Sequence, residues 1–166
     1  MRTAILASDD GAVHCDADAL WVRPPEPMLQ HAVRQHPEAD IVSQVSYGSH
    51  WNRAFKKWGF VLNTGFILFR KTPRVLGMVD SFMAVNQTKF EQGILNNYLL
   101  KLGCAWNQTQ DNHTETMTVG RCGNLTVLLL PNWQVARVWR PHNNLTIFHP
   151  DLNRTKLSEI QSMGLC

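Results

Sequence analysis

Asp16-Ala17-Asp18 sets two carboxylates on either side of a single residue, at the end of a short apolar run. Hard oxygen ligands of this kind suit Mn²⁺ or Mg²⁺, and such an ion can in turn hold a diphosphate. Eight Asp in 166 residues give Asp-x-Asp by chance about 8 × 8/166, or 0.4 times, so the competing reading is a solvated turn. An EF-hand reading of Asp9 to Asp18 fails, because no Gly or Glu stands where a calcium loop needs one. Asn63-Thr64-Gly65 combines an amide able to hydrogen-bond a ligand with a glycine that lets backbone approach closely. The structural alternative there is a turn or bulge. The aromatic-basic stretch YGSHWNRAFKKW (47–58) could stack on a sugar ring through Trp51 or Trp58. Its Arg and Lys could equally form a solvated face.

Two counts bear on the compartment. Asn-x-Thr occurs six times, at Asn86, Asn107, Asn112, Asn124, Asn144 and Asn153, where 12 Asn and 18 Ser plus Thr predict 12 × 18/166, about 1.3, Asn-x-Ser/Thr by chance. The excess leads us to expect a glycan-bearing chain that passes through the secretory pathway. The four Cys are Cys15, Cys104, Cys122 and Cys166. Cys104 and Cys122 bracket a polar segment with two of the sequons, and a bridge closing that loop would contribute about 3 kcal/mol. The favoured pairing is therefore 104–122, and Cys15, inside an apolar run, is expected as a buried free thiol. No Cys pair has zinc-site spacing.

The elements that must position these groups follow from periodicity and punctuation. Ala12 to Cys15 reads as a strand ending at the acidic pair, and Met28 to Gln35 as a helix stopped before Pro37. Ala39 to Val45 is a short buried strand, 47–58 a loop, and Phe60–Leu62 and Gly65–Phe69 strand segments around Asn-Thr-Gly. Thr72-Pro73 opens a helix to about Val85. Thr88 to Glu91 has capping-box form and opens another, stopped at Gly103. Leu125–Leu130 and Thr146–Phe148 are strands, and Thr155–Met163 a last helix. The alternation predicts an α/β fold with a mixed sheet flanked by helices, in one domain over 1–166. A net charge of 16 − 13 = +3 is too mild for a dedicated nucleic-acid binder. No apolar run approaches the roughly 20 residues of a membrane helix, and the opening MRTAILASDDG is too short in apolar residues for a signal peptide.

Taken together and in order, these blocks resemble the nucleotide-diphospho-sugar transferases, and in particular the plant and algal glycosyltransferases of family 77. Asp16-x-Asp18 followed by Trp21 and Pro25 is similar to the family's Asp-x-Asp strand. ADIVSQVS (39–46), WGFVLNTGFILFRKTPRV (58–75), KFEQGILNNYLL (89–100), LTVLLLPNW (125–133) and TIFHPDLNRTKLSEIQSMGLC (146–166) resemble its later blocks. The resemblance implies a GT-A fold, a metal-dependent sugar-nucleotide donor such as a UDP-sugar, a glycan or glycoprotein acceptor, and a type II protein of the Golgi lumen. It also implies a nucleotide-binding βαβ half before the Asp-x-Asp strand. The expectation is thus an N-terminally truncated, C-terminal portion of the transferase domain, whose membrane attachment would come from a segment not in this sequence.

The same resemblance assigns roles. Asp16 and Asp18 would bind metal and diphosphate, with Asp16 also reaching the donor, and His149 would complete the metal site. Lys156 would contact the diphosphate, although a surface Lys on a last helix is the plain alternative. Asn63 would touch the sugar. Glu91-Gln92 aligns with an Asp-Gln of the family; Glu91 is one methylene longer and has a competing job in the Thr88 capping box, so Gln92 is the better candidate. The implied reaction retains configuration at the anomeric carbon. Two other classes stay open: a non-catalytic glycan-binding or scaffold relative, and a hydrolase using Asp16, Asp18 and Glu91, for which no local motif speaks.

Overall fold

The computed structural model describes residues 1–47, 52–84, 91–108, 117–137 and 145–150. In chain order the elements are α1 (Arg2–Ala7), β1 (Gly11–Cys15), β2 (Leu20–Trp21), α2 (Glu26–Gln35), β3 (Ile41–Ser46), α3 (Arg53–Trp58), β4 (Val61–Arg70), α4 (Pro73–Ala84), α5 (Glu91–Leu102), β5 (Ala105–Gln108), β6 (Thr118–Cys122), β7 (Leu125–Leu130), β8 (Val135–Ala136) and β9 (Ile147–Phe148). Six strands form a mixed sheet in the order β1-β4-β3-β7-β6-β5, in which only β3 and β7 run parallel. A small second sheet has the order β2-β9-β8.

Apolar residues fill both faces of the large sheet, as a sheet sandwiched between layers requires. On one face Ile41, Val45, Leu62 and Phe69 pack with Ile5 of α1, Met78 of α4 and Leu95 and Leu99 of α5. On the other, Val42, Phe66 and Leu68 pack with Met28, Leu29 and Ala32 of α2 and with Val135 and Ile147 of the small sheet. Among the described residues no helix is long and apolar enough to cross a membrane.

The mixed α/β architecture is the expected one, with differences in detail. The stretch expected as a loop contains α3: the Asn52 side chain accepts from Ala54 N, 2.8 Å, and Gly59 closes the helix at φ 82, a conformation that favours glycine. The strand broken at Asn-Thr-Gly is instead one strand, β4, that carries a bulge. Opposite β3, Ser43 pairs with Ile67 and the next residue, Gln44, with Asn63, so Thr64, Gly65 and Phe66 are extra. Asn63 Oδ1 folds back to accept from Gly65 N at 2.7 Å. The hairpin β5–β6 was not expected, because its residues are polar. The expected Cys104–Cys122 disulfide is present and ties those two strands together. Cys15 is a free thiol, but half-buried rather than buried, since β1 lies at an edge of the sheet. The Thr88 cap and the helix expected over 155–163 lie outside the described residues.

Candidate metal and donor site

Asp16 and Asp18 lie in the turn that carries the chain from β1 in the large sheet to β2 in the small one. The Asp16 carbonyl accepts from Ala19 N, 3.0 Å, and closes the turn. Asp16 N donates to Gly65 O at 2.9 Å, so the bulge of β4 holds the turn from below. The register of the small sheet does the rest. Leu20 pairs with Phe148 in an antiparallel ladder, which brings the residues just before β2 beside those just after β9. His149 is the first residue after β9, and its backbone N–H is fixed on Ala136 O of β8, 2.9 Å.

His149 Nε2 consequently lies 3.5 Å from Asp16 Oδ2 and 3.3 Å from Asp18 Oδ1. One ligand atom from each of the three residues lies within 4.8 Å of the others. The carboxylates are partly open to solvent, whereas His149 is only 5% exposed. Two carboxylates and an imidazole form a fitting donor set for Mn²⁺ or Mg²⁺, with a solvent side left for a diphosphate. His14 Nε2 stands 3.5 Å from the other oxygen of Asp16.

Three further residues shape this cluster: Gly65, marked in the sequence for close approach, and Gln44 and Arg137, which sequence reasoning missed. Gly65 leaves room for the imidazole: a Cβ there would sit 1.8 Å from His149 Cε1. Gln44, fully buried at the bulge, places Oε1 3.0 Å from His149 Nδ1, while its Nε2 donates to Val135 O, 3.5 Å. Nδ1–H donating to Gln44 turns the Nε2 lone pair toward the two carboxylates, as a metal ligand requires. Arg137 Nη1 stands 3.1 Å from the same Nδ1 and can only donate. Accepting from Arg137 instead places the ring proton on Nε2, facing the carboxylates. The Gln44 contact suits a bound cation; the Arg137 contact suits bare carboxylates. No spacing signal in the sequence marks Gln44, which reads as one polar residue in an apolar strand.

The other expected residues are placed differently. Asn63 is buried, with its side-chain oxygen used by Gly65. Gln92 is buried in the first turn of α5. Asn96, one turn on, accepts from Leu62 N, 2.9 Å, and donates to Leu62 O and Gln92 O, both 2.8 Å, so it fastens the start of α5 to β4 next to Asn63. Glu91 begins α5. Trp58 packs edge-on against Trp106, ring centroids 5.3 Å apart, within an aromatic cluster rather than standing as a sugar platform. Trp51 and Lys156 lie outside the described residues. The Cys15 thiol, beside the turn, is raised above its ordinary pKa, chiefly by burial. A hydrogen bond from Trp21 Nε1 pulls it down, and the charges of Asp16 and Asp18 add to the rise. An apolar cavity of about 470 Å³, lined by His14, Thr64, Val79, Phe82 and Leu95 among others, is too poor in polar groups to take a diphosphate.

A sequence profile of nucleotide-diphospho-sugar transferases matches residues 3–156. The chain belongs to the nucleotide-diphospho-sugar transferase family. The match takes in Asp16, Asp18 and His149, and the six-stranded mixed sheet flanked by helices is consistent with a GT-A-like fold. For a nucleotide-diphospho-sugar transferase, membership implies a nucleotide-sugar donor and an acceptor. No curated protein and no solved structure matches the chain.

Proposed function

We propose that this nucleotide-diphospho-sugar transferase is a glycosyltransferase that moves a hexose or pentose from a nucleotide-diphosphate sugar, such as a UDP-sugar, to a glycan or glycoprotein, with retention at the anomeric carbon and with Mn²⁺ or Mg²⁺. The observation that carries the reading is the convergence of Asp16, Asp18 and His149. These three residues would hold the cation, which when bound neutralises charge on the departing diphosphate. Gln44 and Gly65 keep the His149 ring aimed at the carboxylates. The partly exposed faces of Asp16 and Asp18 leave the donor an approach from solvent. Gln92 and Glu91, at the start of α5, are the residues we assign to the sugar and leaving group, and Lys156 to the diphosphate. We place the protein in the secretory pathway, in the Golgi lumen. The disulfide and the excess of sequons support that compartment.

The test is sugar transfer or donor hydrolysis with Mn²⁺ and a panel of UDP-sugars, alongside calorimetric titration of Mn²⁺. Asp18→Ala is expected to abolish both turnover and Mn²⁺ binding in a protein that still folds. Unchanged turnover in that variant refutes the assignment. Mn²⁺ binding without transfer or hydrolysis of any donor favours a non-catalytic relative.

A further inference from the structure

We propose that Asn107 and Asn124 carry N-linked glycans and that the glycan on Asn107 screens the β5 edge, outermost among the described strands of the large sheet. The inference is independent of the transferase chemistry. Among the described residues strand β5 is outermost in the sheet, and it reads Ala-Trp-Asn-Gln, with no charge and no proline. Such an edge offers backbone groups to another chain, and proteins normally blunt it with Lys, Pro, a bulge or a cover. Here Trp106 turns inward, pressed on Gly120 and packed with Trp58 and Phe60. Alternation along the strand therefore sends Asn107 to the opposite face, where it is exposed. Asn107 begins an Asn-Gln-Thr sequon, so an exposed polar residue of this edge strand is also a glycan acceptor.

Asn124 stands in the turn between β6 and β7, exposed, two residues after the disulfide that locks β5 to β6. Its sequon partner, Thr126, is only 9% exposed. The Thr126 backbone is clamped on both sides by Asp40: its N–H donates to Asp40 Oδ2, 2.9 Å, and its carbonyl accepts from Asp40 N, 2.8 Å. A transferase must read the asparagine and the threonine together, so Asn124 is modified before β7 docks, and the finished fold keeps the sugar on its surface. In the transfer, Asn Nδ2 bonds to C1 of an oligosaccharide carried on a polyprenyl diphosphate. The bond from C1 to the diphosphate oxygen breaks, Nδ2 gives up one proton, and the lipid diphosphate leaves.

The experiment is secretion of the full chain from eukaryotic cells behind an added cleavable leader peptide, enzymatic release of N-glycans in ¹⁸O-water, and peptide mass spectrometry. The expected result is ¹⁸O-labelled Asp at 107 and 124. Loss of one glycan mass is expected in each of Asn107→Gln and Asn124→Gln, and secreted Asn107→Gln should self-associate at concentrations where the parent sediments as a single species. An unlabelled Asn at either position overturns the assignment, and an Asn107→Gln protein as monodisperse as the parent overturns the screening role. Microsomes offered the folded, unglycosylated protein should leave Asn124 unmodified while modifying the reduced, unfolded chain. Modification of the folded form overturns the proposed order.

Discussion

At the scale of single residues, the candidate site depends on which nitrogen of His149 carries its proton. Gln44 Oε1 and Arg137 Nη1 compete for Nδ1, and only the Gln44 contact leaves Nε2 a lone pair for a cation. Gln44→Leu removes that acceptor while keeping most of the volume. It is expected to weaken Mn²⁺ binding by about 10- to 100-fold, read by calorimetry on protein with an unchanged circular dichroism spectrum. Gln44→Glu, which keeps an oxygen toward Nδ1, should lose much less. Equal dissociation constants for Gln44→Leu and the parent would show that the ring is held without Gln44. The two aspartates were legible in the sequence because their spacing is local, and His149 was reached through resemblance. Gln44 was not legible: its role exists only once β3 lies beside the segment after β9, far along the chain.

At the scale of elements, two devices in β3 and β4 do the positioning. The bulge at Thr64–Phe66 supports the acidic turn through Gly65 O and admits the imidazole above Gly65. The second device is Asp40, fully buried just before β3. It accepts from Thr72 Oγ1 (2.7 Å), from Arg74 Nε (3.0 Å to Oδ2) and from Thr126 N (2.9 Å), so one carboxylate joins the start of α4, β3 and β7. Asp40→Ala strands the Thr126 N–H inside the sheet and is expected to cost about 2–3 kcal/mol in urea unfolding, with Asp40→Asn recovering part of the loss. Stability within about 0.5 kcal/mol of the parent would mean that water takes over the bonds. Most long elements were readable from apolar period and caps: α2, α4, β3 and β7 fall close to their expected bounds. The elements that escaped have physical reasons. Helix α3 lacks an apolar period and is declared only by Asn52 and Gly59, β5 and β6 are polar and held by a disulfide, and the two-residue β8 is too short to show any period, whereas its neighbour β9 lies within the strand expected at Thr146–Phe148.

At the scale of the whole molecule, the two ends of the large sheet have separate duties. The acidic turn hangs from β1 and β4, while the disulfide fastens β5 to β6 at the far side. Replacing Cys104 and Cys122 together by Ser is expected to lower unfolding stability by about 3 kcal/mol. Mn²⁺ affinity measured under native conditions should stay unchanged, and a parallel fall in affinity would contradict this division. The small sheet has a different consequence, for the order of synthesis. A ribosome delivers the amino end first, at about 5–20 residues per second. Both carboxylates therefore emerge early and wait for β9, because the pairing of Leu20 with Phe148 is what carries the imidazole to them. A nascent chain, or one clipped before Ile147, owns the acidic turn without the imidazole beside it. The candidate site is thus silent until translation has reached β9 and His149.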